Sequence, residues 1–252
     1  MNPKETAQKF AGDLLWQASK IVRWEVVDPN GNLEKARRHL QNGALIVYIN
    51  HFDMLDTTVI GHAVENHLSP LENVAGITGL KHFDPQRNRV EYALIDAGRK
   101  SRGFQVLTVV QDYDNYYYLN HRHATSGKTP QTFNLDSTRR ALRFLKKPGN
   151  IVMLAPEATR SRDGRLLKGH EGIATLLALS EEFAHALPIA MVPPDTLKIV
   201  PLFTSVKVAV GAPFSYNEVL LEKARKPDIS VTDLMMKRLA VLLPEKYRGF
   251  YR

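Results

Sequence analysis

The chain of 252 residues contains no cysteine. That excludes a disulfide framework, a thiolate nucleophile and a cysteine-ligated metal centre, and it fits a cytosolic compartment. No stretch approaches the roughly 18 consecutive apolar residues of a membrane span, so no transmembrane helix is expected. Met1-Asn2-Pro3-Lys4-Glu5 lacks the apolar core of a signal peptide. There is no Gly-x-Ser-x-Gly elbow, which removes the usual mark of a serine hydrolase. Repeats and low-complexity linkers are also missing. Gly127-Lys128-Thr129 has the ending of a P-loop, but Arg122 stands where the earlier glycine belongs and no strand precedes it, so no nucleotide site is expected. His62 and His67 are five apart rather than the four of a helical metal pair, and His121 and His123 have no further ligands at metal-type spacing. No metal site is expected.

What is present is an ordinary globular composition with an excess of positive charge. Lysine and arginine number 34 against 26 carboxylates, a formal net charge of +8. Such a balance favours anionic partners: phosphate-bearing substrates, acidic carrier proteins, anionic lipid or nucleic acid. The length permits one large domain or two small ones.

Strand-like and helix-like stretches alternate along the chain, which favours an α/β fold. Residues 4–24 have helical spacing, with Ala7, Phe10, Leu14, Ala18 and Ile21 on one face and Lys9, Asp13, Lys20 and Arg23 opposite. This N-terminal amphipathic helix, residues 1–25, either packs on the core or lies in a membrane interface with Trp16 and Trp24 at its edge. Strands are expected at Trp24–Val27, Ala44–Ile49, Val74–Thr78, Phe104–Val110, Ile151–Leu154, Ala190–Val192, Lys198–Val200 and Val206–Val210. Helices are expected at Leu33–Leu40, Thr57–His67, Val90–Gly98, Leu135–Lys147, Glu171–His185 and Thr232–Leu243, with Asn134 or Asp136 capping the fourth. Residues 112–134 are polar, aromatic and turn-rich, and read as a long loop or lid.

The stretch Asn50-His51-Phe52-Asp53-Met54-Leu55-Asp56 organises the rest. His51 follows a buried apolar strand, and Asp56 falls in the first turn of the helix after it. A histidine and a carboxylate five apart cannot share one face of a straight helix, but they can meet across a strand-turn-helix corner. A neutral imidazole is a base near pH 7. A carboxylate on one ring nitrogen fixes its tautomer and stabilises the imidazolium, leaving the other nitrogen to take a proton from a hydroxyl. Taken alone, the pair reads more simply as a satisfied histidine beside a capping aspartate. The second cluster, Leu154-Ala155-Pro156-Glu157-Ala158-Thr159-Arg160-Ser161, leaves a strand at its carboxyl end, where open α/β sheets carry ligand sites. Arg160 offers a planar fork for phosphate oxygens, Thr159 and Ser161 offer hydroxyls, and Lys168 beside Gly169 offers a point charge.

The first cluster resembles the NHxxxxD motif of the glycerolipid acyltransferases, and the second resembles their FPEGTRS block, with Ala155 for the aromatic residue and Ala158 for the glycine. Asp163-Gly164-Arg165-Leu166 and Lys168-Gly169 resemble the continuation of that block. The resemblance covers about residues 26–214. It implies a mixed, mostly parallel sheet flanked by helices, glycerol-3-phosphate acyltransferase-like, filling residues 26–252 with a loop insertion around 112–134. It implies acyl transfer from acyl-CoA or acyl-carrier protein to the hydroxyl of 1-acylglycerol 3-phosphate in phospholipid biosynthesis. His51 and Asp56 would be catalytic, and Glu157, Thr159, Arg160, Ser161 and Lys168 would bind substrate. No cofactor or metal is implied, and no nucleic-acid partner. The expected location is the cytoplasm, peripheral to an anionic inner membrane face. Glycerol 3-phosphate is the alternative acceptor, and a non-catalytic basic module binding anionic lipid or nucleic acid is the alternative class. One departure stands out. Where the family commonly ends a strand in a phosphate-binding arginine, this chain has Thr108-Val109-Val110-Gln111, and Arg99, Lys100 and Arg102 are the nearest substitutes. Ala158 is a second: a positive φ there would be costly without glycine.

Overall fold

A computed structural model describes residues 22–53, 56–83, 101–111, 125–197 and 204–252, together with 6, 10 and 99. The expected helices at 4–24 and 90–98 and the strand at 198–200 lie outside the described residues, apart from the first helix's isolated positions and its end at 22–24. So does 112–124 of the expected loop.

Seven strands form one sheet in the order β1-β7-β6-β2-β5-β3-β4. They are β1 (Arg23–Val27), β2 (Ala44–Ile49), β3 (Val74–Gly79), β4 (Gln105–Val109), β5 (Ile151–Leu154), β6 (Ala184–Val192) and β7 (Ser205–Val210). Every neighbouring pair is parallel except β6 with β7, so the expected mixed, mostly parallel α/β sheet is the observed one. Among the described residues six helices flank it: α1 (Asn32–Leu40), α2 (Asp56–His67), α3 (Pro130–Leu145), α4 (Gly172–Leu179), α5 (Tyr216–Arg225) and α6 (Val231–Ala240).

β2 explains the layering. Its six residues are all buried, as a strand covered on both faces requires. Leu45, Val47 and Ile49 pack with Ala36 and Leu40 of α1 and Val59, Ile60 and Val64 of α2. Ile46 and Tyr48 point the other way, into Ala141 and Leu145 of α3, Leu176 and Leu177 of α4, and Met235 and Leu239 of α6. The Tyr48 hydroxyl donates to the Met235 carbonyl at 2.8 Å, so the buried phenol keeps a partner.

The chain leaves the adjacent strands β2 and β5 in opposite senses. From β2 it crosses one face through α2 towards β3, and from β5 it crosses the other face through α4 to β6. The divergence makes the carboxyl ends of those two strands the switch point of the sheet, the place where such sheets take ligands.

Several elements differ from the sequence expectation. α3 begins at Pro130, not Leu135, because Thr129 caps it: the Thr129 side chain accepts from Thr132 N, and Pro130 takes the first helical position. Asn134 does not cap anything. Its side chain clasps both the N–H and the carbonyl of Val110, at 2.7 and 2.8 Å, sealing the end of the edge strand β4. The expected helix 171–185 stops at Leu179, and Ala184 begins the nine-residue β6. This apolar run is buried throughout most of its length, and such a run carries no periodicity that separates a strand from a helix. α5 had no expected counterpart. It is fixed by a capping box in which Ser215 and Glu218 each serve the other's backbone N–H.

Candidate active site

The site is built on the ends of β2 and β5. Asn50, the residue after β2, is buried and extends the ladder with its side chain: it accepts from Met191 N at 2.8 Å and donates to Met191 O at 2.9 Å. That clasp on β6 fixes where the backbone turns at His51.

Asp56 opens α2 and is fully buried. Its Oδ2 lies 2.7 Å from His51 Nδ1 and also accepts the backbone N–H groups of Phe52 and Asp53, at 2.9 and 3.2 Å. Backbone N–H donors and the helix N-terminus complement negative charge there without a neighbouring cation. The carboxylate selects the tautomer with the proton on Nδ1. His51 Nε2 is left with a lone pair and no hydrogen bond among the described residues, and the side chain is 23% exposed. The pair is therefore a base whose active nitrogen reaches solvent.

The second loop is tied to the first by backbone bonds. Glu157, 2% exposed, accepts the His51 N–H on Oε1 at 2.8 Å and the Leu167 N–H on Oε2 at 2.7 Å. Burial pushes its carboxyl up to about 7, against the opposing pull of those two N–H donors, and the nearby Asp56 charge adds to the rise. Ser161 is buried as well. Its N–H donates to the His51 carbonyl at 2.8 Å and its hydroxyl to Asp163 Oδ1 at 3.0 Å. Both residues, expected on substrate, sit in the frame of the site, where they hold His51 by its two main-chain groups.

Thr159, Arg160 and Lys168 are exposed. Arg160 precedes Ser161 and Lys168 follows Leu167, so each stands one residue from a group that braces His51. Neither makes an ion pair among the described residues; the Glu157 carboxylate faces the backbone N–H groups of His51 and Leu167 and not Arg160. Lys168 Nζ lies 5.8 Å from the Phe250 ring centroid.

Ala158 adopts φ 57°, the left-handed region that glycine favours, at the position where the motif spelling departs from glycine. The turn is held by Ala158 N donating to Ala155 O at 3.1 Å and by Gln111 Nε2 donating to Ala158 O at 2.8 Å. Gln111, at the strand end where the resemblance implies an arginine, thus meets the second motif by its side-chain amide. The substitutes do not. Arg99 and Arg102 precede β4 at its amino end, a strand length of roughly 16 Å from the carboxyl end. Arg102 lies 3.7 Å from Glu65 of α2 instead. Lys100 lies outside the described residues.

Sequence reasoning passed over Asn50, Gln111 and the C-terminal residues that brace the second loop. Gly169 N donates to the Tyr251 hydroxyl at 2.9 Å, and that hydroxyl donates to Asp233 Oδ1 at 3.0 Å. Only Asn50 had a signal, its place beside His51; the others are joined by chain separations that no local pattern encodes. Among the described residues no group of three or more His, Cys, Asp or Glu is arranged to hold a metal ion.

No family model matches the chain, and no curated protein matches it in sequence. Among solved structures it is similar to the 1-acyl-sn-glycerophosphate (LPA) acyltransferase PlsC from Thermotoga maritima, with 16% identity over 93% of this chain and 84% of that one, at a TM-score of 0.48. A likeness at that level fixes no chemistry; the site stands on its own geometry.

Proposed function

We propose that the protein transfers an acyl group from an acyl thioester, on coenzyme A or on acyl-carrier protein, to the hydroxyl of 1-acylglycerol 3-phosphate. The observation that carries this reading is the 2.7 Å contact of His51 Nδ1 with buried Asp56, which leaves Nε2 open at the carboxyl end of the central strand. The two ordered sequence motifs supply the substrate class.

In this reading Nε2 takes the proton of the acceptor hydroxyl as its oxygen attacks the thioester carbonyl. Asp56 stabilises the imidazolium. The tetrahedral intermediate collapses, the carbon–sulfur bond breaks, and the proton passes from Nε2 to the departing thiolate. No covalent enzyme intermediate and no cofactor are needed. Arg160, with Thr159 and Lys168, binds the acceptor phosphate, the fork of Arg160 taking two oxygens. Glu157 and Ser161 hold the His51 backbone in register with that phosphate site. A bilayer-borne acceptor is reached by peripheral contact with the cytoplasmic membrane face; no helix among the described residues is long and apolar enough to cross a membrane.

The test is product formation by purified protein from labelled acyl-CoA and acyl-carrier donors, with 1-acylglycerol 3-phosphate and glycerol 3-phosphate as acceptors. Acylation that depends on both thioester and phosphate acceptor supports the reading. Absence of transfer from every donor contradicts it.

A further inference from the structure

The C-terminal residues are bound onto the second motif loop. Leu166 N donates to Tyr247 O and Phe250 N donates to Leu166 O, each at 3.0 Å. Gly249 makes the approach possible: at φ 53°, a Cβ there would lie 2.1 Å from the Leu166 carbonyl. Tyr247 and Tyr251 are buried in the core, yet Phe250 between them is 62% exposed. A single exposed ring is ordinary on a protein surface. This one is set apart by its fixed backbone and by its neighbours.

Arg160, Arg162, Arg165, Lys168, Lys246, Arg248 and Arg252 lie on the two joined stretches, 160–168 and 245–252. Against them stand three carboxylates: Asp163 pairs with Arg165, Glu245 with Arg252, and Asp195 with Lys246. Arg165, Glu245, Lys246, Gly249 and Arg252 share the lining of one open hollow of about 320 Å³. The face is thus cationic on balance, carries one projecting aromatic ring, and belongs to the loop that braces His51 through Glu157.

We propose that this face, with Phe250 as its apolar contact, docks on an anionic lipid bilayer. Charge complementarity selects an anionic surface, since Arg160, Arg162, Lys168 and Arg248 have no carboxylate partner among the described residues. A ring that projects with Lys168 beside it suits the boundary of headgroups and acyl chains, where it inserts while the charges of the two joined stretches meet phosphate. A bilayer is favoured over an acidic protein because the exposed Phe250 ring finds apolar depth there as well as charge. The proposal rests on the acyl-transfer reading for why docking brings His51 to its acceptor, but docking itself is measured without any acyl donor.

The experiment is co-sedimentation of the full chain with phosphatidylglycerol and with phosphatidylcholine vesicles at low salt. Wild type is expected to prefer the anionic vesicles, and Phe250→Ala to weaken binding about tenfold while circular dichroism stays unchanged. Phe250→Trp should add fluorescence that brominated lipid quenches beyond the wild-type background. Added salt should weaken binding, because exposed charges are screened over about 10 Å at 0.1 M. Wild-type protein that ignores anionic vesicles, a Phe250→Ala protein that binds them unchanged, or an unquenched Phe250→Trp overturns the proposal. Binding to polyglutamate without binding to vesicles assigns the face to an acidic protein and overturns it too. A protein that docks but transfers no acyl group from a soluble thioester sinks the acyl-transfer reading alone; one that transfers but does not dock sinks this one alone.

Discussion

The backbone N–H of His51 is held by the side chain of Glu157, which sits 106 positions later in the chain and is almost fully buried. The same carboxylate accepts from Leu167, so one buried acid spans both motif loops. Glu157→Gln keeps the shape but sets an amide N–H₂ against one of two backbone donors. Leaving such a donor unpaired costs about 1–3 kcal/mol. We expect turnover to fall at least tenfold with the fold retained, as read by steady-state kinetics and circular dichroism.

Glu157 also gives stability a pH dependence of definite sign. Its folded pKa is about 7, above the ordinary 4.5, so the folded state binds the proton more tightly. The contribution is fully present below pH 4.5 and is lost as pH rises through about 7, to an extent on the order of 3 kcal/mol. His39 and His185, stacked 3.8 Å apart, have pKa values lowered by burial and act in the opposite sense, gaining stability as pH rises. Their effect is common to wild type and Glu157→Gln, so the difference between the two isolates Glu157. Urea unfolding from pH 5 to 8 should show wild type losing stability relative to the variant. Parallel profiles would remove the buried-acid account.

Ala158 holds a left-handed backbone at a cost of about 1–2 kcal/mol. Ala158→Gly relieves that strain but loosens the unfolded chain by about 0.4–1 kcal/mol. A net gain of up to about 1 kcal/mol is expected in denaturant melts, and Ala158→Val, β-branched at positive φ, should destabilise. If glycine proves the least stable of the three, the strain assignment is wrong.

Arg160→Lys replaces a planar fork with a point charge. Arg160 is exposed and one residue from the bond between Ser161 and His51, so its loss should raise the acceptor KM about tenfold and leave the donor KM nearly unchanged. A defect confined to the donor would move Arg160 out of the acceptor site.

Much of this arrangement was legible from residue order. A buried strand, a turn and a helix opening on an acid placed His51 and Asp56 at one corner, and they meet there. The α/β sheet followed from alternating periodicities, and β2 and β5 from short apolar runs. What failed was of two kinds. The run Ala184–Val192 is buried too completely to show a period that separates strand from helix. The bracing of His51 by Glu157 and Ser161 was not legible, because charge and hydroxyl suggest a ligand while burial is set by distant chain. Arg102 failed as a substitute for the same reason: closeness in sequence put it at the wrong end of β4.

The most direct measurement is thioester-dependent acylation of a soluble short-chain glycerol phosphate by wild type, His51→Ala and Asp56→Asn, with folding checked by circular dichroism. The account predicts that wild type forms product. It predicts that His51→Ala stays folded and loses about a hundredfold to ten-thousandfold in rate, and that Asp56→Asn is severely impaired through loss of the charge behind the imidazolium. Near-normal turnover by a folded His51→Ala protein would contradict it.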